Sequence, residues 1–280
     1  MLRAACRHSI ISTANFMSHP SFCEVASGRI AYSRQGNGLC LVLLHPIGVD
    51  RSWWGEYVHE WQQAYDVIEV DFRGHGDSSS LLAPITLSEH AADVVAVLRQ
   101  ERVSSAHIIG VSMGGMVAQR IAIEVPGIAA SLILCATAGG FPDAARPRIL
   151  ARGDLNRTGS MSEVVDDTLA RWFRADSPRP DLVKRCRARL LADDWYSWSA
   201  NWAAISQLDN LTDLARVTAP ALVVAGDMDA SIPPAASKLI ADAIPGATFV
   251  SIPRASHFGA FEMRESFVPV FDKFLSTQVP

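Results

Sequence analysis

Short apolar runs alternate along this chain with longer stretches whose apolar residues recur every three or four positions. Runs such as Leu41-Val42-Leu43-Leu44 and Leu222-Val223-Val224-Ala225 show no polar alternation, as expected of strands covered on both faces. The pattern predicts eight strands, over 22–25, 29–34, 39–44, 67–70, 106–110, 130–135, 221–225 and 248–251. Helical spacing fills 56–64, 87–99, 113–125, 234–243 and 264–275. Strands and helices interleaved in this way predict an α/β fold, a mostly parallel eight-stranded sheet flanked by helices. The rhythm breaks over 141–216, which is rich in Arg, Asp, Ala and Trp and has helical spacing without a convincing strand. This stretch is expected to be a helical cap inserted over the end of the sheet where the loops gather. The core is then built from 21–140 and 217–280, after a disordered leader over 1–20.

Composition narrows the partners. A chain of 280 residues, 49% of them hydrophobic, can bury the core of one large domain. Its 25 Lys and Arg against 29 Asp and Glu give a net charge of −4, which creates no field for gathering nucleic acid or anionic lipid. No apolar run approaches the roughly 18 residues that span a bilayer. The expected partner is a small-molecule substrate, with no nucleic acid and no membrane, and the expected location is the cytoplasm. The first 16 residues carry arginines and serines but no acid, the composition of a targeting peptide; the other reading is a misassigned leader ahead of a start at Met17. Five scattered cysteines form no C-x-x-C pair, so Cys40 and Cys135 are expected to be small buried hydrophobes of strands.

Candidate chemistry centres on Gly110-Val111-Ser112-Met113-Gly114, between an apolar strand and a helical stretch. That context makes the pentapeptide a nucleophile elbow with Ser112 at its tip. Glycines are needed there because strand and helix approach closely and the turn opposes a Cβ. A serine hydroxyl needs a base to take its proton, usually a histidine oriented by a carboxylate. His257 lies after the last strand and before the last helix, where its loop can fold back over the sheet. Of the other histidines, His59 and His90 fall on helix-like surfaces, His107 lies within a strand, and His45 is expected to brace its loop. The strand over 221–225 runs into Gly226-Asp227-Met228-Asp229. Two acids, Asp227 and Asp229, are therefore candidates for the carboxylate, and spacing does not separate them.

A tetrahedral oxyanion needs preorganised N–H donors. The Met113 amide, at the start of the helix, is one candidate. The other is expected in His45-Pro46-Ile47-Gly48, where proline has no N–H, which leaves Ile47. There is no His-x-His, no H-E-x-x-H and no cysteine cluster, so neither a metal nor another cofactor is expected. Arg73, in the glycine-rich loop over 71–78, is a candidate for an anionic substrate or for a structural ion pair. Four of the seven tryptophans, at 172, 195, 198 and 202, lie in the insertion, and Trp172 and Trp202 are the candidates for lining the substrate cavity.

Taken in order, Leu43-Leu44-His45-Pro46-Ile47-Gly48, Asp71-Phe72-Arg73-Gly74-His75-Gly76, Gly110-Val111-Ser112-Met113-Gly114-Gly115, Gly226-Asp227-Met228-Asp229 and Ala255-Ser256-His257 resemble the α/β-hydrolase family. The resemblance runs from about residue 22 to the end of the chain. It implies that the acid is Asp229, the Asp that precedes the Pro of this loop, and the order Ser, Asp, His fits. Within the family, the Arg73-Gly74-His75-Gly76 loop and Leu169-Ala170-Arg171-Trp172-Phe173, ahead of a helix with Trp202, are most similar to the 3-oxoadipate enol-lactonase branch. That similarity implies hydrolysis of a small anionic enol-lactone through a serine acyl-enzyme, without metal or cofactor. The alternatives are a C–C hydrolase of ring-cleavage diketones and a ligand receptor on the same scaffold.

Overall fold

The computed structural model describes residues 19–153 and 160–278. Most of the expected leader, Cys6 included, and a short stretch of the insertion lie outside them. The eight strands are β1 (Ser21–Val25), β2 (Gly28–Gly36), β3 (Leu39–Leu44), β4 (Tyr65–Val70), β5 (Ala106–Val111), β6 (Ala129–Cys135), β7 (Ala221–Gly226) and β8 (Thr248–Ile252). They form one sheet in the order β1-β2-β4-β3-β5-β6-β7-β8. The β1–β2 and β2–β4 pairs are antiparallel and the remaining five pairs are parallel.

Burial follows the sequence pattern. Every residue of β5 and β7 is buried, whereas the edge strands β1 and β8 alternate or open to solvent. Central side chains such as Ile108, Ile109 and Val223 are fully enclosed, each contributing about 1.5–3 kcal/mol relative to an exposed position. Flanking the sheet are α1 (Gly55–Trp61), α2 (Leu87–Gln100) and α3 (Met113–Glu124), then α8 (Pro234–Ala243), the short α9 (Gly259–Glu262) and α10 (Arg264–Ser276). Thr86 and Glu89 start α2 with a reciprocal capping box, which satisfies two of the amides a helix leaves unpaired. Between β6 and β7 come α4 (Arg146–Leu150), α5 (Val165–Trp172), α6 (Pro180–Leu191) and α7 (Trp195–Ser206).

Strand order decides where a ligand can sit. Chain order reverses around β3, whose neighbours are β4 on one side and β5 on the other. Loops leaving the carboxyl ends of parallel strands diverge at such a switch point and leave a crevice. The loops that follow β3, β5, β7 and β8 carry Ile47, Ser112, Asp229 and His257. Residues far apart in the chain thus meet because their strands are adjacent and run the same way.

Two expectations change. His90 is not a surface residue of α2: it is fully buried, with Nε2 2.7 Å from Asn201 Oδ1 on α7. The inserted helices cover that side of α2, and single-helix periodicity carries no trace of them. Cys135 is buried, but Cys40 is only partly so, being near the start of β3. Burial pushes the Cys40 thiol up to about 12. No helix of the described residues is long and apolar enough to cross a membrane.

Candidate active site

Ser112 sits between β5 and α3 at φ 54°, ψ −115°, a conformation that costs a non-glycine residue about 1–3 kcal/mol and persists only where its surroundings over-determine it. They do so here. Its N–H donates to the Cys135 carbonyl at 2.9 Å. Its own carbonyl accepts from the amides of Gly115 (3.0 Å) and Met116 (3.1 Å) and from Thr137 Oγ1 at 2.7 Å. A Cβ on Gly114 would run into the Leu44 carbonyl, and one on Gly110 into the backbone of Gly114. The glycines therefore let α3 start in contact with the ends of β3 and β5, which sets Ser112 at the crest of the turn.

His257 and Asp229 reach the same point from β8 and β7. His257 Nε2 lies 3.0 Å from Ser112 Oγ, and Nδ1 lies 2.8 Å from Asp229 Oδ2. The second carboxylate oxygen of Asp229 accepts the amides of Ser231 and Ile232, both at 2.8 Å. An ionised carboxylate only accepts, so Nδ1 carries the imidazole proton and Nε2 is left to accept from the serine hydroxyl. The two loops are locked together, with the Met228 amide donating to the Ala255 carbonyl at 3.0 Å. Asp227 points elsewhere: it is exposed and accepts the Arg254 amide at 2.6 Å.

The loop after β3 stands beside this line of groups. His45 is completely buried, and burial pushes its imidazole down to about 4, so it is neutral near pH 7. Its Nε2 accepts the Phe72 amide at 3.1 Å, which leaves Nδ1–H to donate to the Pro46 carbonyl at 2.7 Å. In a trans peptide the N–H points opposite to the C=O. Holding the Pro46 carbonyl therefore fixes the direction of the Ile47 amide. Met113 is the first residue of α3, so its N–H belongs to the turn that has no acceptor within the helix. Gly48, at φ +74°, lies under the insertion: an added Cβ would press on Leu190, Trp198 and Trp172. Ser112 and His257 are only 6% and 2% exposed, so a substrate must pass beneath those helices. Two clefts, of about 320 and 840 Å³, open elsewhere on the surface and are lined by none of the three residues.

A family model, described as the alpha/beta hydrolase family, matches residues 41–270. The chain belongs to the alpha/beta hydrolase family. It is 27% identical over 235 residues, 83% of this chain and 87% of the relative, to 3-oxoadipate enol-lactonase 2 of Acinetobacter baylyi. The crystal structure of a hydrolase from Pseudomonas aeruginosa PA01 superposes with a TM-score of 0.83 at 31% identity, covering 91% of this chain and 98% of that one. The enol-lactonase of Burkholderia xenovorans LB400 superposes with a TM-score of 0.85 at 27% identity, covering 91% and 100%.

The remaining candidates of this α/β hydrolase separate cleanly. Arg73 is not available to an anionic substrate. It is buried, with Nε 3.0 Å from Asp93 Oδ2 and Nη2 2.6 Å from Oδ1, because a guanidinium enclosed behind β4 needs a counter-ion. Trp172 stacks on Phe258 with ring centroids 4.8 Å apart and lies 6.3 Å from the His257 ring. Trp202 is one ring further out, 5.7 Å from Trp198, which itself abuts Gly48. Pattern reading singled out neither Trp198 nor Arg152, whose guanidinium lies over the Trp202 ring at 5.2 Å. One arginine in an arginine-rich stretch carries no signal until its neighbours are placed. Among the described residues, no group of three or more His, Cys, Asp or Glu side chains could hold a metal ion.

Proposed function

We propose that this α/β hydrolase is a serine hydrolase that opens a carboxylic ester or an enol-lactone of a small substrate through an acyl-enzyme. The observation that carries the reading is the hydrogen-bonded line from Ser112 through His257 to Asp229, at 3.0 and 2.8 Å. In this mechanism Ser112 Oγ attacks the carbonyl while His257 Nε2 takes its proton. Negative charge moves to the carbonyl oxygen, where the Ile47 and Met113 amides receive it. The tetrahedral intermediate collapses as His257 returns the proton to the leaving oxygen. In an enol-lactone that oxygen stays tethered and is attached to a C=C carbon, so an enol forms on the acyl chain and relaxes to a ketone. Water activated by His257 then releases the acid. Asp229 holds the imidazole in its tautomer and balances its charge at each transfer. The similarity to enol-lactonases of two organisms supports the lactone as the natural bond.

The test follows the ultraviolet loss of 3-oxoadipate enol-lactone beside nitrophenyl acetate. Faster loss of the lactone is the expected result. Cleavage of the acetate alone would keep the serine chemistry and discard the lactone. Silence on both, with carbon-skeleton cleavage of a ring-fission diketone, would replace the ester reading, and tight binding without turnover would replace the enzyme by a receptor.

His45 enters the same mechanism as a positioning residue. His45→Ala leaves the Phe72 amide and the Pro46 carbonyl without their partner, at about 1–3 kcal/mol each, and frees the peptide that aims the Ile47 amide. Removing an oxyanion donor outright costs roughly 100- to 1,000-fold, so loosening one is expected to lower kcat by about 10- to 100-fold at nearly constant KM. Steady-state kinetics on nitrophenyl acetate, beside a melting curve, check this. A lowered melting point with unchanged kcat would confine His45 to a structural part.

A further inference from the structure

His257 is held by more than Asp229. The turn that carries it, residues 254–262, is tied to the insertion along the link between α5 and α6, residues 172–177. The Phe258 amide, directly after His257, donates to the Trp172 carbonyl at 3.0 Å. Arg174 Nη1 donates to the Arg254 carbonyl at 2.9 Å. A third tie runs through Glu262, the last residue of α9, which is only 5% exposed. One of its carboxylate oxygens accepts from Ser177 Oγ and the other from Ser256 Oγ. Ser177 lies just ahead of α6, and its Oγ also accepts the Arg179 amide at 3.2 Å. Ser256 directly precedes His257, and its Oγ also accepts the Phe258 amide at 3.2 Å. Ser256 and Phe258 thus bracket the imidazole in the chain, and each is bonded to the insertion, Phe258 directly and Ser256 through Glu262.

We propose that Glu262 is a positioning residue for the general base: its carboxylate clamps the insertion to the turn of His257, so that the imidazole is aligned on Ser112 only while residues 172–177 are seated. This rests on the serine hydrolase reading for the role of His257 and on the bonds above for the clamp. A carboxylate taken out of water is costly unless its oxygens are satisfied. Here each oxygen is satisfied by a hydroxyl from a different segment, so neither segment can leave without stranding it. Bonds to an ionised oxygen are also roughly twice as strong as neutral ones. Asp229 meets the ring at Nδ1 and sets its tautomer, but one bond to one atom leaves the backbone beneath the ring free to shift. Ser256 and Phe258 hold that backbone. His257 Nε2 is 3.0 Å from Ser112 Oγ, and a displacement of about 1 Å at such a point costs on the order of 100-fold in rate. A substrate has to pass beneath the inserted helices, so the clamp makes their return to place the step that completes the base.

The experiment measures kcat and KM on nitrophenyl acetate and amide hydrogen exchange over 254–262 in wild type, Ser177→Ala, Glu262→Ala and Glu262→Gln. Ser177→Ala is the cleanest variant, because it removes one hydroxyl from the insertion and leaves the turn of His257 chemically intact. It is expected to lower kcat by about 10-fold, and Glu262→Ala by about 10- to 100-fold, both at nearly constant KM. Combining the two should cost no more than Glu262→Ala alone, since both break one clamp. Glu262→Gln keeps a carbonyl oxygen for one serine and offers its NH₂ to the other, and is expected to stay within about five-fold of wild type, the difference between a charged and a neutral hydrogen bond. Exchange over 254–262 should become about 10- to 100-fold faster in both alanine variants at a temperature where they are folded. A lowered melting point with kcat unchanged would reduce Glu262 to a structural part, and unchanged exchange in Ser177→Ala would overturn the clamp itself. Faster exchange in both variants of a protein whose wild type opens no ester would keep the clamp and overturn the hydrolase reading.

Discussion

Ser112→Ala is expected to give a folded protein that has lost ester turnover by on the order of 10⁴- to 10⁶-fold, the range seen when the nucleophile of a serine triad is removed. The substitution deletes one oxygen and keeps the Cβ. The positive φ of Ser112 is held by backbone bonds from Cys135, Gly115 and Met116 and by Thr137, none of which involves its hydroxyl. The hydroxyl contributes one hydrogen bond, to His257, a net effect of about 0.5–1.5 kcal/mol. The melting point should therefore shift by only a few degrees while activity disappears. Incubation with a fluorophosphonate, followed by mass spectrometry, adds a direct readout: wild type should gain one adduct on Ser112 and the variant none. Retained hydrolysis above about 1% of wild type, or labelling at another residue, would move the nucleophile away from the elbow.

How far the site can be read from sequence depends on what fixes each residue. Local geometry fixes Ser112, because a strand, a glycine-flanked turn and a helix start leave their marks within about ten positions. The doubly buried runs of β3 and β7 are equally plain, since a strand covered on both faces has no polar alternation to conceal. Strand adjacency fixes the meeting of Ser112 with the loops after β7 and β8, and the interleaved pattern implies it. The docking of α4 to α7 is different in kind. It depends on contacts between segments more than a hundred residues apart, such as His90 with Asn201 or Gly48 with Trp198. No short-range periodicity encodes these contacts. For the same reason Arg73 could not be told from Arg152 by pattern: each is an arginine in a polar stretch. What separates them is Asp93, which neutralises Arg73 from α2, while no carboxylate of the described residues does so for Arg152.

The two acids of the β7 loop offer the sharpest test of that distinction, because spacing leaves them equal and geometry does not. Asp229→Asn is expected to lower kcat by about 10⁴-fold with KM little changed. The amides of Ser231 and Ile232 both point at one side-chain oxygen, so they select the Asn carbonyl for that position. The NH₂ group must then face His257 Nδ1, where the native structure places an acceptor. To avoid donor against donor, the imidazole gives up the Nδ1 proton and carries it on Nε2. An Nε2–H cannot accept the Ser112 proton, so the base is lost although every atom stays in place. Asp227→Asn keeps a carbonyl oxygen for the Arg254 amide and touches neither His257 nor Ser112. Its kcat is expected to stay within about two-fold of wild type, the scale of a surface change away from buried partners. Paired kinetics on one ester decide between them: if Asp227→Asn proves the more damaging, the carboxylate that orients His257 is not Asp229.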